Sequence, residues 1–526
     1  MPPEEASRPR LPKRPLRRLP HALRVVLLMT FAAGWLAWLV SHTEILFPDG
    51  LRYVEQARAF DRGAWSDAVR HAVDHPIYPL GIVTTHRLLR LDGGPEGWQL
   101  AAQITAAVAG MLLVVPLYLV ARELFGGASA TLGCMLLFLV PLPAHVFADA
   151  LSESTFLLFW NWGVWASLRY LRAADVGWLI PALGFGALAY LTRPEGLLLP
   201  PALIATLVLS PLLRSARLPA RRWRVSVVVL IVGPLTLVGP YVAAKGGLGT
   251  KPAVARLLGL SGPSKPDAVE RERPLPANLG TFTTYRMALS AALIAVCGAV
   301  TFPLLPFSLA GIVTAFRRTS PARMRGWLFL AVVSGASLPA LTRLYATGGY
   351  CTPRHTFLIS LTVLTAAGAG MRWAVAAWLR STRSRIWRRR ATFVPPALMI
   401  GLACLNFTSL IAPVNAGMGA YRDAGLWAAE HVPRGEKIVD VTGWSQFYGR
   451  RSGYTFANLI EAPGDPSARW VFVRDAHLYG PWKYCERLQA LIDGSRLVAR
   501  FPEVREPGRS RVSVYERPAA RRGAAQ

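Results

Sequence analysis

Acidic side chains are scarce in this chain. Against 59 Lys and Arg there are only 30 Asp and Glu in 526 residues, a formal net charge of +29. So basic a balance raises nucleic acid as a partner, because Lys and Arg neutralise phosphates and release counterions. The sequence holds no nucleic-acid recognition motif, however, and its basic residues fall in short clusters between apolar runs. No nucleic-acid partner is expected. Cysteine is nearly as sparse: Cys134, Cys297, Cys351, Cys404 and Cys485 include no CxxC pair and no zinc-ligand spacing, which excludes a cysteine metal cluster. There is no phosphate loop, no nucleophile elbow, no repeat of fixed period and no pair of matching broken helices of the transporter kind.

What remains is apolar. Just over half of the residues are hydrophobic and the mean hydropathy is positive, too apolar for a soluble chain of this size. Crossing the bilayer takes roughly 20 apolar residues, and runs of that kind fall at about 24–41, 99–121, 128–147, 153–171, 176–192, 196–213, 225–244, 287–316, 326–343, 355–371 and 393–411. Eleven crossings are therefore expected. The basic clusters alternate with them: the tail, Arg122, Arg169 with Arg172, and the runs 214–224, 317–325 and 372–390 all map to one side. The positive-inside rule makes that side cytoplasmic. The tail 1–23, with Arg8 to Arg18 before an apolar run and no small-residue cleavage site, reads as an uncleaved cytoplasmic anchor.

The expected architecture is a polytopic α-helical membrane protein, with residues 24–411 as its transmembrane domain. The outer side then carries segment 42–98 with interfacial helices, segment 245–286, long enough to be a lid, and a small α/β domain over 412–526. In that domain 421–431 reads as an amphipathic helix, while 437–441, 470–473 and 512–515 read as strands. The expected location is the bacterial cytoplasmic membrane. Cys351 and Cys485 both map outside, where an oxidising compartment would let them pair.

The residues able to carry chemistry fall on this arginine-poor side. Asp49 sits where the first span leaves the membrane, followed by Arg52, Tyr53 and the His75-Pro76-Ile77-Tyr78 segment; its bland role is to cap a helix starting near Gly50. Asp149 and Glu153 are four residues apart, a spacing that puts both carboxylates on one face of a helix. Their bland role is a solvated helix start. Arg193, in Thr192-Arg193-Pro194-Glu195-Gly196, and Arg354, before His355, are cations on a side that should lack them. Such arginines suit a lipid-linked phosphate, or else pair with Glu195 or Asp149 or snorkel to the interface.

In their order and sidedness these residues resemble the GT-C superfamily of membrane glycosyltransferases, in the branch of the protein O-mannosyltransferases and the lipid A aminoarabinose transferase. The resemblance rests on Asp49, Tyr53 and Ala57 in the first outer loop, His75 to Tyr78, the Asp149/Glu153 junction, the Leu191–Gly196 hairpin, Arg354-His355 and the outer C-terminal domain. It implies an inverting transferase that takes a sugar from a polyprenyl-phosphate donor to an extracytoplasmic lipid, glycan or protein. Asp49 would be the catalytic base, Asp149 and Glu153 would bind the acceptor or orient the site, and Arg193 and Arg354 would hold the donor phosphate. Tyr53, His75, Tyr78, Glu195 and His355 are further candidates. The chain departs from the family at Gly50, where many members carry a second acid, and at His355, where an aromatic often follows the Arg. No cofactor is required, and a divalent ion on Asp49, Asp149 and Glu153 stays open. The rival readings are a lipid-linked-glycan flippase that breaks no bond, and a non-catalytic assembly or sensor protein.

Overall fold

The computed structural model describes residues 19–213, 219–247, 281–381, 393–480, 483–504 and 506–518. Most of the basic tail, most of the expected lid and the basic run beyond residue 381 lie outside the described residues. The membrane part opens with α1 (His21–Ser41), followed by three short helices, α2 (Pro48–Asp61), α3 (Trp65–Arg70) and α4 (Ile77–Leu88). Then come α5 (Pro95–Phe125), α6 (Gly127–Leu139), α7 (Pro141–Ala148), α8 (Glu153–Ala173), α9 (Leu179–Tyr190), α10 (Leu199–Leu209) and α11 (Ala220–Lys245). The second half of the bundle holds α12 (Thr281–Val300), α13 (Leu305–Arg317), α14 (Pro321–Gly348), α15 (Phe357–Ser381) and α16 (Val394–Leu405).

The expected count of eleven crossings is not confirmed: among the described residues seven helices are long and apolar enough to span, and the pair α6 and α7, bent by 68°, makes an eighth if it counts as one crossing. The shortfall has physical causes. The apolar helices at Val176–Tyr190 and Val394–Leu405 are too short to cover about 30 Å of hydrocarbon at 1.5 Å per residue. Helix α8 is long enough at 21 residues but carries Glu153, Asn161, Arg169 and Arg172. The run 287–316 breaks at Thr301, whose φ of 67° ends α12; Pro303, in the next turn, blocks continuation.

Exposed apolar side chains confirm which solvent the bundle meets. Along α11 Val228, Ile231, Val232, Leu235 and Leu237 all face outward, a surface that only lipid covers without cost. Inside, small residues let backbones touch where hydrophobic burial gives no driving force. A Cβ on Gly133 of α6 would lie 2.6 Å from the Thr365 carbonyl of α15, and one on Gly370 of α15 would strike the Phe307 carbonyl of α13.

Beyond residue 412 the chain folds into the expected small α/β unit. Five strands, β1 (Ile438–Val439), β2 (Gly453–Tyr454), β3 (Trp470–Arg474), β4 (Arg496–Phe501) and β5 (Val512–Glu516), form one sheet in the order β2-β1-β3-β5-β4. β1 is parallel to both its neighbours, while β5 is antiparallel to β3 and β4. Helices α17 (Ala420–His431) and α18 (Trp444–Gly449) dock this unit on the segment that follows α1. Trp444 donates its indole N–H to the Leu46 carbonyl at 2.8 Å, and Tyr448 donates to Gln99 of α5. Ile45 is buried in the same cluster as Tyr421, Trp444 and Tyr448. Cys485 is buried and Cys351 is separate from it; both are free thiols, so the expected pairing is not made.

Trp444→Ala removes the indole and leaves the Leu46 carbonyl unsatisfied, a loss of about 3–5 kcal/mol for a buried tryptophan. The expected outcome is a lower midpoint of thermal unfolding in detergent and faster proteolysis near residue 412. An unchanged digestion pattern would show that this contact does not dock the unit.

Candidate functional site

The site is assembled from ends of elements. Helix α2 starts with Pro48 at its first position, after Phe47 in extended conformation, an arrangement that proline's fixed φ favours. Asp49 therefore stands in the first helical turn, where negative charge suits the dipole. It does not cap the helix. Its carboxylate instead spans two guanidiniums, Arg52 Nη1 at 3.1 Å and Arg354 Nη2 at 2.7 Å. Gly50 packs on the junction after α7, where an added Cβ would lie 2.8 Å from both Ala150 Cβ and its carbonyl oxygen. That contact leaves no room for the second acid the family resemblance leads one to expect.

Arg354 arrives from a 3-10 turn, Pro353–Thr356, ahead of α15. The His355 ring caps that turn through Thr352 N at 3.1 Å, and the guanidinium lies over the Phe47 ring at 4.4 Å. Its Nη1 is buried, makes no hydrogen bond and stands 3.7 Å from Glu153 Oε1. Glu153, at the start of α8 and 5% exposed, also receives Arg193 Nη1 at 3.0 Å. Arg193 is held by the tight turn after α9, where a Cβ on Gly196 would strike Tyr190 N, and its Nη2 meets Glu195 at 2.9 Å. Burial alone would lower the Arg193 pKa, yet Glu195 and Glu153 outweigh it and keep the group well above the ordinary arginine value.

At the other end of the row Arg52 Nε donates to Asp74 Oδ2 at 3.0 Å. The result is a continuous alternation, Asp74–Arg52–Asp49–Arg354–Glu153–Arg193–Glu195. Four carboxylates against three guanidiniums leave it at a formal charge of −1. Asp49, 26% exposed in its side chain, also lines a cavity of about 1130 Å³ between α2 and the C-terminal unit, with Arg52, Arg58, Trp98, Gln446 and Arg450.

Residues 75–238 match the family described as dolichyl-phosphate-mannose-protein mannosyltransferase. Comparison with curated protein sequences gives no match. Among solved structures, ArnT from Cupriavidus metallidurans bound to undecaprenyl phosphate aligns with a TM-score of 0.57 at 15% identity, over 93% of this chain and 97% of that one. The archaeal oligosaccharyltransferase AglB from Archaeoglobus fulgidus, in complex with an inhibitory peptide and a dolichol-phosphate, aligns at 0.55 and 13% identity, over 92% of this chain and 74% of that one. The chain thus shares the fold of these membrane transferases, and part of it matches the mannosyltransferase family. At such identities the structural likeness is one of fold, so the roles of individual residues rest on this chain's own geometry.

Of the candidates, Asp49, Glu153, Arg193, Glu195 and Arg354 meet in one row. Tyr53 joins through Ser152, whose Oγ lies 2.9 Å from the phenol oxygen and 3.4 Å from Arg193 Nη1. Tyr78 packs edge-on against Tyr53 and donates to the Ala102 carbonyl. His75, one residue beyond Asp74, meets Tyr190 edge-on and Tyr241 at a tilt. Asp149 does not share a helix face with Glu153. It lies in the extended break between α7 and α8, where it accepts Phe47 N at 3.0 Å, Ala150 N at 2.7 Å and Asn415 Nδ2 at 3.0 Å. Burial pushes its carboxyl up to about 6, against the pull of those N–H groups. It ties the first loop to the start of the C-terminal unit. Asp49, Asp149 and Glu153 are thus not a shared ligand set, and among the described residues no group of three His, Cys, Asp or Glu is placed to hold a metal.

Sequence reasoning missed Arg52, Asp74, Ser152 and Asn415 as parts of the site. Arg52 had a signal, its position three residues after Asp49 on a helix; the others are tertiary partners with none.

Glu153→Ala deprives Arg193 and Arg354 of a shared carboxylate, and breaking such a buried pair costs about 3–5 kcal/mol. Thermal unfolding of the purified protein should shift down accordingly. Adding Arg193→Met should recover part of the loss; a purely additive second loss would contradict the pairing.

Proposed function

We propose that the chain is an inverting glycosyltransferase that moves a sugar from a polyprenyl-phosphate donor to an acceptor on the outer face of the membrane, with Asp49 as general base. The observation that carries this reading is the position of Asp49 between two different surroundings. One oxygen is bonded to the buried Arg354, and the same side chain lines the wide cavity under the C-terminal unit. The donor belongs on the arginine side and the acceptor in the cavity. ArnT bound to undecaprenyl phosphate and AglB with dolichol-phosphate, the two structures of like fold, support a polyprenyl-linked donor.

The chemistry then follows from charge. The acceptor hydroxyl gives its proton to Asp49 as its oxygen attacks the anomeric carbon, and the carbon–oxygen bond to the phosphate breaks on the opposite face. The phosphate departs with the bonding electrons and gains a negative charge. Arg354, whose Nη1 makes no hydrogen bond in the unliganded chain, turns from Asp49 to that phosphate, and Arg193 supports it from behind Glu153. Transferring Arg354 to the phosphate frees one carboxylate oxygen to accept the proton. Glu153 Oε2, buried without a hydrogen bond, is placed to accept from a hydroxyl of the donor sugar.

Asp49→Asn should lower transfer by at least about 100-fold, the usual share of a general base, while the protein accumulates in the membrane at normal levels. The readout is polyprenyl phosphate released from the membrane pool of lipid-linked sugars, by mass spectrometry. Near-normal release by this variant would remove Asp49 from the reaction.

A further inference from the structure

The cavity beside Asp49 differs in charge from the row that borders it. Five arginines line it, Arg52, Arg58, Arg62, Arg450 and Arg451, against three acids, Asp49, Glu55 and Asp61. Two of those acids are engaged, Asp49 with Arg52 and Arg354, and Asp61 with Arg87 at 2.8 Å. Arg451 donates to the carbonyls of Ala429 and Val432. Among the described residues the side chains of Arg58, Arg62 and Arg450 make no hydrogen bond and no ion pair. Glu55 alone remains to balance these three guanidiniums, which leaves a formal charge of +2 in this part of the cavity.

Arg58 is held in place without being neutralised. Its guanidinium lies 5.7 Å from the centre of the Trp98 ring and 5.0 Å from that of Phe447. Aromatic faces fix a cation while leaving its N–H groups open to an acceptor. Trp98 is itself fixed, 4% exposed and stacked on His86 at 3.9 Å. Arg450 approaches from the C-terminal unit: it ends α18 in the left-handed region, at φ 52°, where glycine is the usual residue. Its Nη2 lies against Gly94, 2.8 Å from where a Cβ would stand. Burial, then Arg450 and Arg62, press the Arg58 pKa below the ordinary arginine value, and Glu55 offsets only part of this. Like charges gathered in a half-enclosed space repel until an anion joins them.

The placement of these arginines indicates what sort of anion fits. Leu51, Glu55, Arg58 and Arg62 follow one another at helical spacing along the cavity side of α2, while Asp49 enters from its first turn. Arg58 is nine residues beyond Asp49, at least about 13 Å along the helix axis. The volume of about 1130 Å³ exceeds the roughly 300–1,000 Å³ that takes a drug-sized molecule, so a chain of several units fits. The wall also carries neutral amides. Gln446 Oε1 and Asn458 Nδ2 make no hydrogen bond among the described residues, and such groups match sugar hydroxyls rather than acyl chains.

We propose that the acceptor is an anionic glycan, a chain of sugars whose carboxylate or phosphate group is gripped by Arg58 and Arg450, with Arg62 beside them, while a hydroxyl several units away meets Asp49. A forked guanidinium pairs with either oxyanion through two bonds at once. The role of acceptor rests on the transferase reading; the binding of an anionic glycan in this cavity does not.

The test is isothermal titration calorimetry of the full-length protein in detergent, without donor, against hexagalacturonate, its neutral methyl ester, pentamannose phosphate and hexaglutamate. At least one charged glycan should bind about ten-fold or more tighter than the ester, and which one does identifies the oxyanion. Arg58→Gln and Arg450→Gln should each weaken that binding by at least about ten-fold, the least that a hydrogen bond to a charged group contributes. Arg450 is exposed, so its substitution tests the site without disturbing the packing around Trp98. Charged glycans that bind no tighter than the ester would overturn the proposal without any variant, and so would hexaglutamate that binds as tightly as they do. Because no donor is present, the outcome is independent of transfer: normal transfer by Asp49→Asn would remove the transferase reading and leave the glycan affinity standing.

Discussion

The ion pair between Asp49 and Arg354 joins residues 305 apart in sequence, and one end of the molecule is organised around it. Ionised groups near the bilayer are costly unless each meets a partner of opposite charge. Here the requirement is met only collectively, since Arg354 is shared by Asp49 and Glu153, and Glu153 by Arg354 and Arg193. The start of α2, the start of α8, the turn after α9 and the turn before α15 must therefore arrive together. Each is fixed by a local device: Pro48 and Gly50, the break at Asp149, Gly196, and Pro353 with His355.

A carboxylate outside that row fixes where the C-terminal unit sits. Asp149 accepts from Phe47 and from Asn415 at once, so the carboxylate that positions the first loop also anchors the chain as it leaves the bundle. Trp444 repeats the connection from within the unit, through the Leu46 carbonyl. The cavity beside Asp49 is the space left between these anchors, and its walls carry Arg58, Arg450 and Phe447 as well as the carboxylate. A site with a formal charge of −1 would repel a phosphate if its arginines were fixed. On the proposed reading, a donor phosphate would enter by exchanging with one of the carboxylates among which each guanidinium is shared.

Much of this was legible in the sequence, and the limits are physical. Periodicity located α17 over 420–431 to within a residue of the expected 421–431, and β3 and β5 likewise. The two-residue β2 and the edge strand β4, with its exposed Arg496, Leu497 and Val498, carry too little alternation to read. Hydropathy merged α12 with α13 although Pro303 marked the break, and it promoted the 12-residue α16 to a span. Charge placement singled out Arg193 and Arg354 as cations on a side expected to lack them, and Asp149 with Glu153 as acids at membrane depth, while Asp49 stood out by its place just after the first span. Spacing misled at Asp149, where a four-residue interval suggested a helix face and an extended break intervened. Asp74 and Asn415 are ordinary loop residues in sequence; only their tertiary partners give them meaning. The family match over 75–238 takes in Glu153 and Arg193 but not Asp49 or Arg354, so the pairing at the centre of the site is visible only in three dimensions.

The account stands on Arg354 moving between a carboxylate and a phosphate, and a structure of the full chain with polyprenyl phosphate bound tests that most directly. The account predicts a phosphate oxygen within about 3 Å of Arg354, the lipid tail leaving between helices, and Asp49 turned to the cavity beneath the C-terminal unit. A phosphate bound elsewhere, with Arg354 still on Asp49, would contradict it.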